Sequence, residues 1–188
     1  MTDFQKEIVR KITHASGVFL IPLLFWRPLV FSLFFFLSLL LYISVELAQK
    51  RNISIPLFTK LTNLSKRDSE KNHWSWGAIL LLLSCSFLPL FFRPIPVALG
   101  LSQIFIADAA AALMGKIWGH RKIIFSTKKT WVGSSTYFLS AFLISLFWVS
   151  PLQAFYLAAA GSILEIISKD LDNLTIPLGI AFLVSFFQ

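Results

Sequence analysis

The chain has 188 residues, 56% of them hydrophobic, and a formal net charge of +8. This composition is too apolar for a soluble domain of this length, so we predict an integral membrane protein embedded in the lipid bilayer. In a soluble protein the positive charge would suggest a nucleic-acid partner. In a membrane chain the basic residues follow topology instead, and no nucleic-acid partner is expected.

The hydrophobic stretches predict an all-α, polytopic helical bundle with about seven transmembrane helices in one domain over residues 1–188. Several stretches approach the roughly 20 apolar residues that cross a bilayer. An amphipathic helix over about 3–14 leads into the first span, and two long loops, about 49–73 and 116–132, separate later spans. The predicted spans are about 15–26, 28–48, 74–92, 94–115, 133–149, 151–167 and 173–188.

The distribution of basic residues predicts the orientation. With the N-terminus in the cytoplasm, two basic residues, Arg27 and Arg93, face the outside, and the other fifteen of the 17 Lys and Arg residues face the inside. Such an asymmetry follows the positive-inside rule. We therefore predict a cytoplasmic N-terminus, cytoplasmic positions for both long loops, and an active site on the cytoplasmic side.

The N-terminal amphipathic segment carries one polar stripe. Glu7, Arg10, Lys11 and His14 are spaced at i, i+3, i+4 and i+7, which places them on one helix face. This stripe is either a solvated interfacial face or a phosphate-binding face, in which Arg10 and Lys11 hold phosphate and Glu7 orients them. In the second interpretation His14 lies near the reacting groups and can transfer protons near neutral pH.

One acid, Asp108, lies within the apolar run of the fourth predicted span. A carboxylate buried there is costly unless it is paired, neutralised or bound to a metal. Ala112 and Gly115, at i+4 and i+7, leave space beside it for a ligand or another helix. A structural hydrogen bond is one interpretation, and we favour a magnesium ligand.

The loop after Asp108 combines glycines, basic residues and hydroxyl groups. Glycines allow close backbone approach, the basic residues supply positive charge, and the N-terminus of the next helix offers free N–H groups to an oxyanion. With a metal-binding carboxylate, this combination is typical of phosphoryl transfer, although the Walker A spacing does not occur. The residues concerned are Lys116, Gly119, Arg121, Lys122, Lys128, Lys129, Thr130, Gly133 and Ser134.

Further acids lie near the inner ends of predicted helices. Glu46 is expected to pair with a basic residue, and Glu165 lies near the end of the sixth span. Asp172 or Asn173 either caps the last helix or belongs to the same acidic group. All these acids are predicted on the cytoplasmic half, the side of the lysine-rich loop.

Three motifs occur in the order Glu7-x-x-Arg10-Lys11-x-x-His14, then Asp108 with a loop ending Lys129-Thr130-Trp131-Val132-Gly133-Ser134, then Asp172-Asn173-Leu174-Thr175-Ile176-Pro177. Together they cover most of the chain, and the chain resembles the dolichol kinase, phytol kinase and yeast-type diacylglycerol kinase family. It departs from the family pattern at Ala107, where glycine is usual, and at Val132, where glutamate is usual.

The resemblance implies transfer of a γ-phosphate, commonly from CTP as co-substrate, to the hydroxyl of a lipid alcohol of the polyprenol or dolichol, phytol or diacylglycerol type. A divalent cation such as Mg²⁺ is implied as cofactor, with Asp108 and Asp172 as its ligands. Candidate catalytic residues are Asp108, His14 and Lys129. Candidate nucleotide-binding residues are Arg10, Lys11, Lys116, Gly119, Lys122, Lys128, Lys129, Thr130, Gly133, Ser134 and Asn173.

Two alternatives are weighed against this interpretation. CDP-diacylglycerol synthases are distantly similar and transfer a cytidylyl group from CTP to phosphatidate. Asp172-Asn173 does not match their paired aspartates around an arginine, so this function ranks second. A transporter or lipid-binding membrane protein would place acids near the bilayer midplane in related halves, a pattern that the sequence does not show.

Overall fold

The structure is a computed structural model that describes residues 3–51, 53, 74–124, 129–168 and 170–187. Over these ranges it is helical apart from turns and one antiparallel bridge between Lys122 and Thr130. The predicted all-α class is confirmed. The helical elements are α1 (Asp3–Ala15), a 3-10 turn (Ser16–Leu20), α2 (Ile21–Trp26), α3 (Pro28–Lys50), α4 (Trp76–Phe91), α5 (Pro94–Ser102), a π-helical turn (Gln103–Ala107), α6 (Asp108–Trp118), α7 (Trp131–Ser145), α8 (Pro151–Ile167) and α9 (Asp172–Ser185).

Three helical segments are long and apolar enough to cross a bilayer. They are Glu7–Trp26, Pro28–Lys50 and Pro94–Trp118. Three shorter apolar helices accompany them, namely α4, α8 and α9. The protein is therefore a membrane protein, while the predicted total of about seven transmembrane helices, the single domain and the cytoplasmic orientation stay predictions.

The first candidate span begins before the predicted bound of about 15, along the amphipathic segment that precedes it. The amphipathic helix predicted over about 3–14 is α1, and it continues through the 3-10 turn into α2, so the candidate span runs from Glu7 to Trp26. The predicted loop 116–132 is shorter at both ends, because α6 continues to Trp118 and α7 begins at Trp131. Most of the predicted loop 49–73 lies outside the described residues.

Prolines start the helices that follow the two short turns. Pro28 and Pro94 occupy the first turns of α3 and α5, directly after Arg27 and Arg93. Proline suits this position because the first N–H groups of a helix have no intrahelical partner and its φ angle is already helical. The sequence thus keeps these two connections tight.

The segment formed by α5, the π-helical turn and α6 lies at the centre of the bundle. It contacts α9, α7 and the N-terminal helices, and most of its residues are buried. Close approach depends on small residues: a Cβ atom at Gly100 would lie 2.5 Å from the backbone carbonyl oxygen of Pro177 in α9. Small residues at helix contacts are typical of membrane bundles, where packing rather than the hydrophobic effect drives association.

Candidate functional site

Asp108 is the first residue after a π-helical turn in the buried central segment. Its side chain is almost fully buried, with 2% of the residue exposed. π-Helical turns inside α-helices occur frequently at functional sites. Here the buried side chain of Gln103, the first residue of the turn, is hydrogen-bonded to α7. Tyr137 Oη donates to Gln103 Oε1 at 3.1 Å, and Gln103 Nε2 donates to Ser145 Oγ at 3.3 Å.

The cation that neutralises Asp108 comes from the other end of the sequence. The ammonium group of Lys11 in α1 forms an ion pair with Asp108 Oδ2, and Lys11 is itself 7% exposed. A buried carboxylate and a buried ammonium each carry a large desolvation cost, so each requires the other or another ion. The contact fixes α1 against the start of α6.

A second cluster of charges forms around Lys129, just before α7. Its Nζ atom lies 2.6 Å from Glu165 Oε1 of α8 and 3.6 Å from Asp172 Oδ2 of α9. Burial alone would lower the pKa of the Lys129 ammonium, but the carboxylates of Asp108, Glu165 and Asp172 outweigh it, so the pKa is raised. Lys129 therefore stays cationic at neutral pH.

The N-terminus of α7 is capped by a residue of the same loop. The Thr130 hydroxyl accepts a hydrogen bond from the backbone N–H of Gly133 at 3.1 Å. Backbone bonds from Ile123 N to Lys129 O and from Trp131 N to Arg121 O tie the two described ends of the loop together. These bonds place the residues that follow α6 beside the residues that precede α7.

Glycines let the end of α6 approach this capped helix start. A Cβ atom at Gly119 would lie 2.4 Å from Thr130 Oγ1 and 2.1 Å from the Gly115 carbonyl oxygen. A Cβ atom at Gly115 would lie 2.9 Å from the same hydroxyl, and one at Gly133 would lie 3.1 Å from the Ala111 carbonyl. Side chains larger than hydrogen would separate the two helices at this point.

The polar stripe of α1 faces the same region. Arg10 pairs with Glu7 one turn away, and the orienting role of Glu7 stays a prediction. The His14 ring contacts Phe105 of the π-helical turn edge-on, with 5.9 Å between ring centroids. His14 Nε2 and Arg10 Nε are buried and lack a hydrogen-bond partner within the described part of the chain.

The structure brings together predicted site residues from all three motifs. Lys11 with Asp108, and Lys129 with Asp172, form direct contacts, and Asp108 contributes to the electrostatics of Lys129. Lys116 and Lys122 are exposed, and the Lys116 ammonium lies 5.7 Å from the Phe4 ring centroid. Lys128 lies outside the described residues.

Asn173 occupies a different setting from the lysines. Its side-chain amide donates to the Gly77 carbonyl at 2.7 Å, and its own carbonyl accepts from Ser84 Oγ at 2.8 Å. These bonds join α9 to α4. The N-cap residue of α9 is Leu171. Asp172 Oδ1 accepts from the backbone N–H of Asn173 at 3.0 Å, and Asp172 Oδ2 lies 3.6 Å from Lys129 Nζ, so Asp172 contributes both to the start of α9 and to the charge cluster.

Glu165 is the site residue to which sequence analysis assigned no role. It is 2% exposed, pairs with Lys129 through Oε1, and accepts a hydrogen bond from Ser134 Oγ through Oε2 at 2.9 Å. The signal available in the sequence was an acid within an otherwise apolar helix. Its partner could not be read there because Lys129 lies 36 positions away in another element.

The side chains of Asp108 and Asp172 offer carboxylate oxygens, the type of donor atom that Mg²⁺ prefers. Within the described ranges no group of three or more His, Cys, Asp or Glu side chains is arranged to hold a metal. Mg²⁺, however, is usually held by one or two carboxylates together with substrate phosphates. The carboxylate of Asp108 already has a cation, the Lys11 ammonium, against one oxygen, and Asp172 supplies a second hard oxygen donor close to Lys129.

Fold and site together define a helical membrane protein with a buried site of lysines and carboxylates. The chain is similar to a phytol kinase from Synechocystis sp., with 34% identity over 139 residues that cover 66% of this chain and 59% of the relative. A probable chloroplastic phytol kinase from Triticum aestivum is 32% identical over 95 residues, covering 50% of this chain and 31% of the relative. A probable chloroplastic phytol kinase 1 from Oryza sativa subsp. japonica is 32% identical over 119 residues, covering 53% and 37%.

These similarities support the resemblance of the chain to the phytol kinase and dolichol kinase type of family. The matched region spans 59% or less of the length of each of these relatives. No family model matches the chain, and no solved structure matches it. The expected distant similarity to CDP-diacylglycerol synthases stays a prediction.

Proposed function

We propose that this protein is a membrane lipid-alcohol kinase that transfers the γ-phosphoryl group of CTP to the hydroxyl of an isoprenoid alcohol of the phytol type. The observation that carries the proposal is the meeting of two lysines with three carboxylates: Lys11 contacts Asp108, and Lys129 contacts Glu165 and Asp172. They adjoin the capped, glycine-lined start of α7. The names of the three relatives support phytol as the first substrate to test.

The reaction forms a bond between the lipid hydroxyl oxygen and the γ-phosphorus. The bond between that phosphorus and the oxygen bridging the β- and γ-phosphates breaks, and CDP leaves. The hydroxyl proton is released, so the products are a lipid monophosphate and CDP. Because the transition state is loose and spreads negative charge over phosphate oxygens, most of the catalytic work is positioning and charge stabilisation.

The phosphate chain would lie against the start of α7. Lys129 stays cationic and would hold a phosphate oxygen, with the Ser134 hydroxyl beside it. Lys116 and Lys122, both exposed, would approach from the α6–α7 loop. Lys11 and Arg10 would meet the same phosphates from α1.

Asp108 and Asp172 would hold Mg²⁺. When bound, this ion supplies charge neutralisation for the β- and γ-phosphate oxygens. In this structure the Asp108 carboxylate pairs with the Lys11 ammonium, so Lys11 would lie beside a metal held there. An ammonium at this position would compensate part of the negative charge of the phosphates.

His14 is the candidate acceptor for the hydroxyl proton. Its Nε2 atom is buried beside Phe105 and lacks a partner within the described residues, so it can accept a hydrogen bond from an incoming hydroxyl. Asp108 is the second candidate. A lipid tail would remain in the hydrophobic layer while its hydroxyl reaches this site, which accounts for catalytic groups on membrane helices.

The test is an assay of purified protein with labelled nucleotides and a panel of lipids. CTP labelled at the γ or the α phosphate, and ATP labelled at the γ phosphate, would be offered with phytol, a polyprenol, diacylglycerol and phosphatidate. We expect γ-label, and no α-label, in a phytyl product. Transfer of α-label to phosphatidate would establish cytidylyl transfer instead, and label transfer to none of the lipids would overturn the kinase proposal.

A further inference from the structure

Glu165 uses its two carboxylate oxygens on two different residues of the α7 start. Oε1 lies 2.6 Å from Lys129 Nζ, which precedes the helix, and Oε2 accepts from Ser134 Oγ within its first turn at 2.9 Å. Both partners belong to the segment assigned above to the phosphates. One carboxylate of α8 therefore holds both sides of the proposed phosphate-binding segment.

The position of Glu165 is fixed by the packing of its own helix. Leu157, Gly161 and Glu165 recur at intervals of four residues, and all three are buried. A Cβ atom at Gly161 would lie 2.9 Å from Tyr137 Oη of α7, so α8 and α7 are in close contact one turn before Glu165. The packing of α8 therefore fixes the position of the Glu165 carboxylate, whereas Lys129 lies outside regular helix.

The two acids beside Lys129 differ in how closely they hold it. The Nζ–Oε1 distance to Glu165 is 2.6 Å, whereas the Nζ–Oδ2 distance to Asp172 is 3.6 Å, near the limit of an ion pair. Of these two acids, Glu165 is therefore the closer partner of the ammonium. With the charge of Glu165 removed, the attraction of Asp172 would draw the ammonium onto a carboxylate that the proposed reaction needs for the metal.

We infer that Glu165 is a positioning residue of the phosphoryl-transfer site, which holds Lys129 at the phosphates and away from Asp172. The inference rests on the proposed function. Glu165 touches neither the nucleotide nor the lipid in this scheme and acts through Lys129 and Ser134. Its loss should therefore affect nucleotide binding far more than lipid binding.

The first test is Glu165→Gln, which keeps the shape and a hydrogen bond to Ser134 but removes the charge. Losing a charge-assisted contact should raise the KM for CTP about 10- to 100-fold, with a much smaller change in the KM for the lipid. Glu165→Asp should recover part of the loss. Glu46→Gln is the matched control, because it makes the same change at a glutamate that is 1% exposed and accepts from the backbone N–H of Ser75.

A double-mutant cycle with Lys129→Met separates positioning from a general structural role. If Glu165 acts through Lys129, Glu165→Gln should have little further effect on CTP binding once Lys129 is replaced. Binding of a fluorescent CTP analogue to detergent-solubilised protein provides a readout independent of turnover. Thermal unfolding would verify that each variant is folded, and Glu165→Asp would replace Glu165→Gln in the cycle if the latter is not.

Additive effects in the cycle, or an equal rise in CTP KM for Glu46→Gln, would overturn the role of Glu165 while leaving the kinase proposal intact. A wild-type protein that neither binds CTP nor transfers label would overturn the kinase proposal and, with it, this inference. The two failures are distinguished by the wild-type measurement.

Discussion

The ion pair between Lys11 and Asp108 places two full charges where almost no water reaches them. Both residues are buried, and their separation in sequence is 97 positions. Ion pairs of this kind contribute little net stability compared with apolar side chains, yet removing one partner leaves an uncompensated charge. A bundle that retains such a pair carries a cost that a catalytic or binding role explains.

We predict that Asp108→Asn abolishes phosphoryl transfer and lowers the free energy of unfolding by about 3–5 kcal/mol, because the buried Lys11 ammonium loses its carboxylate. Adding Lys11→Met should recover much of the stability and none of the activity. Thermal unfolding in detergent and γ-label transfer measure the two effects.

Asp170→Asn is the control for Asp108→Asn, since it removes a carboxylate at an exposed position just before α9 begins. It should leave both stability and turnover close to those of the wild type. Near-normal turnover in Asp108→Asn would contradict the role given to Asp108.

Among the helices, the contact between the end of α6 and the start of α7 determines the shape of the proposed phosphate site. Three glycines and the Thr130 cap lie at this contact, and hydrogen is the largest substituent that the spacing accepts at Gly119. Membrane helices commonly approach through such small residues, because close backbone contact replaces the hydrophobic driving force.

The corresponding prediction is that Gly119→Ala displaces the end of α6 from Thr130. Overpacking of this kind typically costs about 1–3 kcal/mol, so we expect a lower melting temperature together with a raised KM for CTP. Gly77→Ala is the matched control: its Cβ would lie 3.4 Å from Asn173 Nδ2, an ordinary contact, and should change little. Equal effects of the two substitutions would argue against a specific α6–α7 contact.

For the molecule as a whole, the basic residues predict which ends of the helices share a side of the membrane. Arg27 and Arg93 lie in the short turns before α3 and α5, whereas the N-terminal helix and the α6–α7 loop carry many of the other basic residues. Lys11 of the N-terminal helix pairs with Asp108, and Lys129 of the α6–α7 loop pairs with Glu165. A single orientation in the bilayer would satisfy all of these observations.

Single cysteines would test that orientation. In a Cys85→Ala background, which removes the buried native thiol, cysteines introduced at the exposed positions Arg93 and Arg121 can be labelled with a membrane-impermeant maleimide. We expect Arg93→Cys to react in intact cells and Arg121→Cys to react only after permeabilisation. The reverse pattern would show that the proposed site faces the other side.

Much of the secondary structure could be predicted from the sequence alone. Runs of apolar residues and the prolines after Arg27 and Arg93 defined the helices to within a few residues, and the amphipathic stripe defined α1. These features are local, because hydrophobicity and backbone preference act on neighbouring residues. The apolar surroundings of Asp108 also marked it as unusual before any contact was known.

The pairing of charges depended on the tertiary structure. The rotation of each helix and its packing against the others determine these contacts. They bring Lys11 to Asp108, Lys129 to Glu165, and the Asn173 amide to the Gly77 carbonyl. Small residues such as Gly100 and Gly161 fix those rotations through close contacts between distant segments. Local composition thus determined that the protein is a helical membrane protein whose helices and loops carry acids and lysines. Only the packing between helices decided which acid neutralises which lysine. The reason is that a buried charge must be compensated by an opposite charge within a few ångströms, and tertiary packing determines which residue lies there.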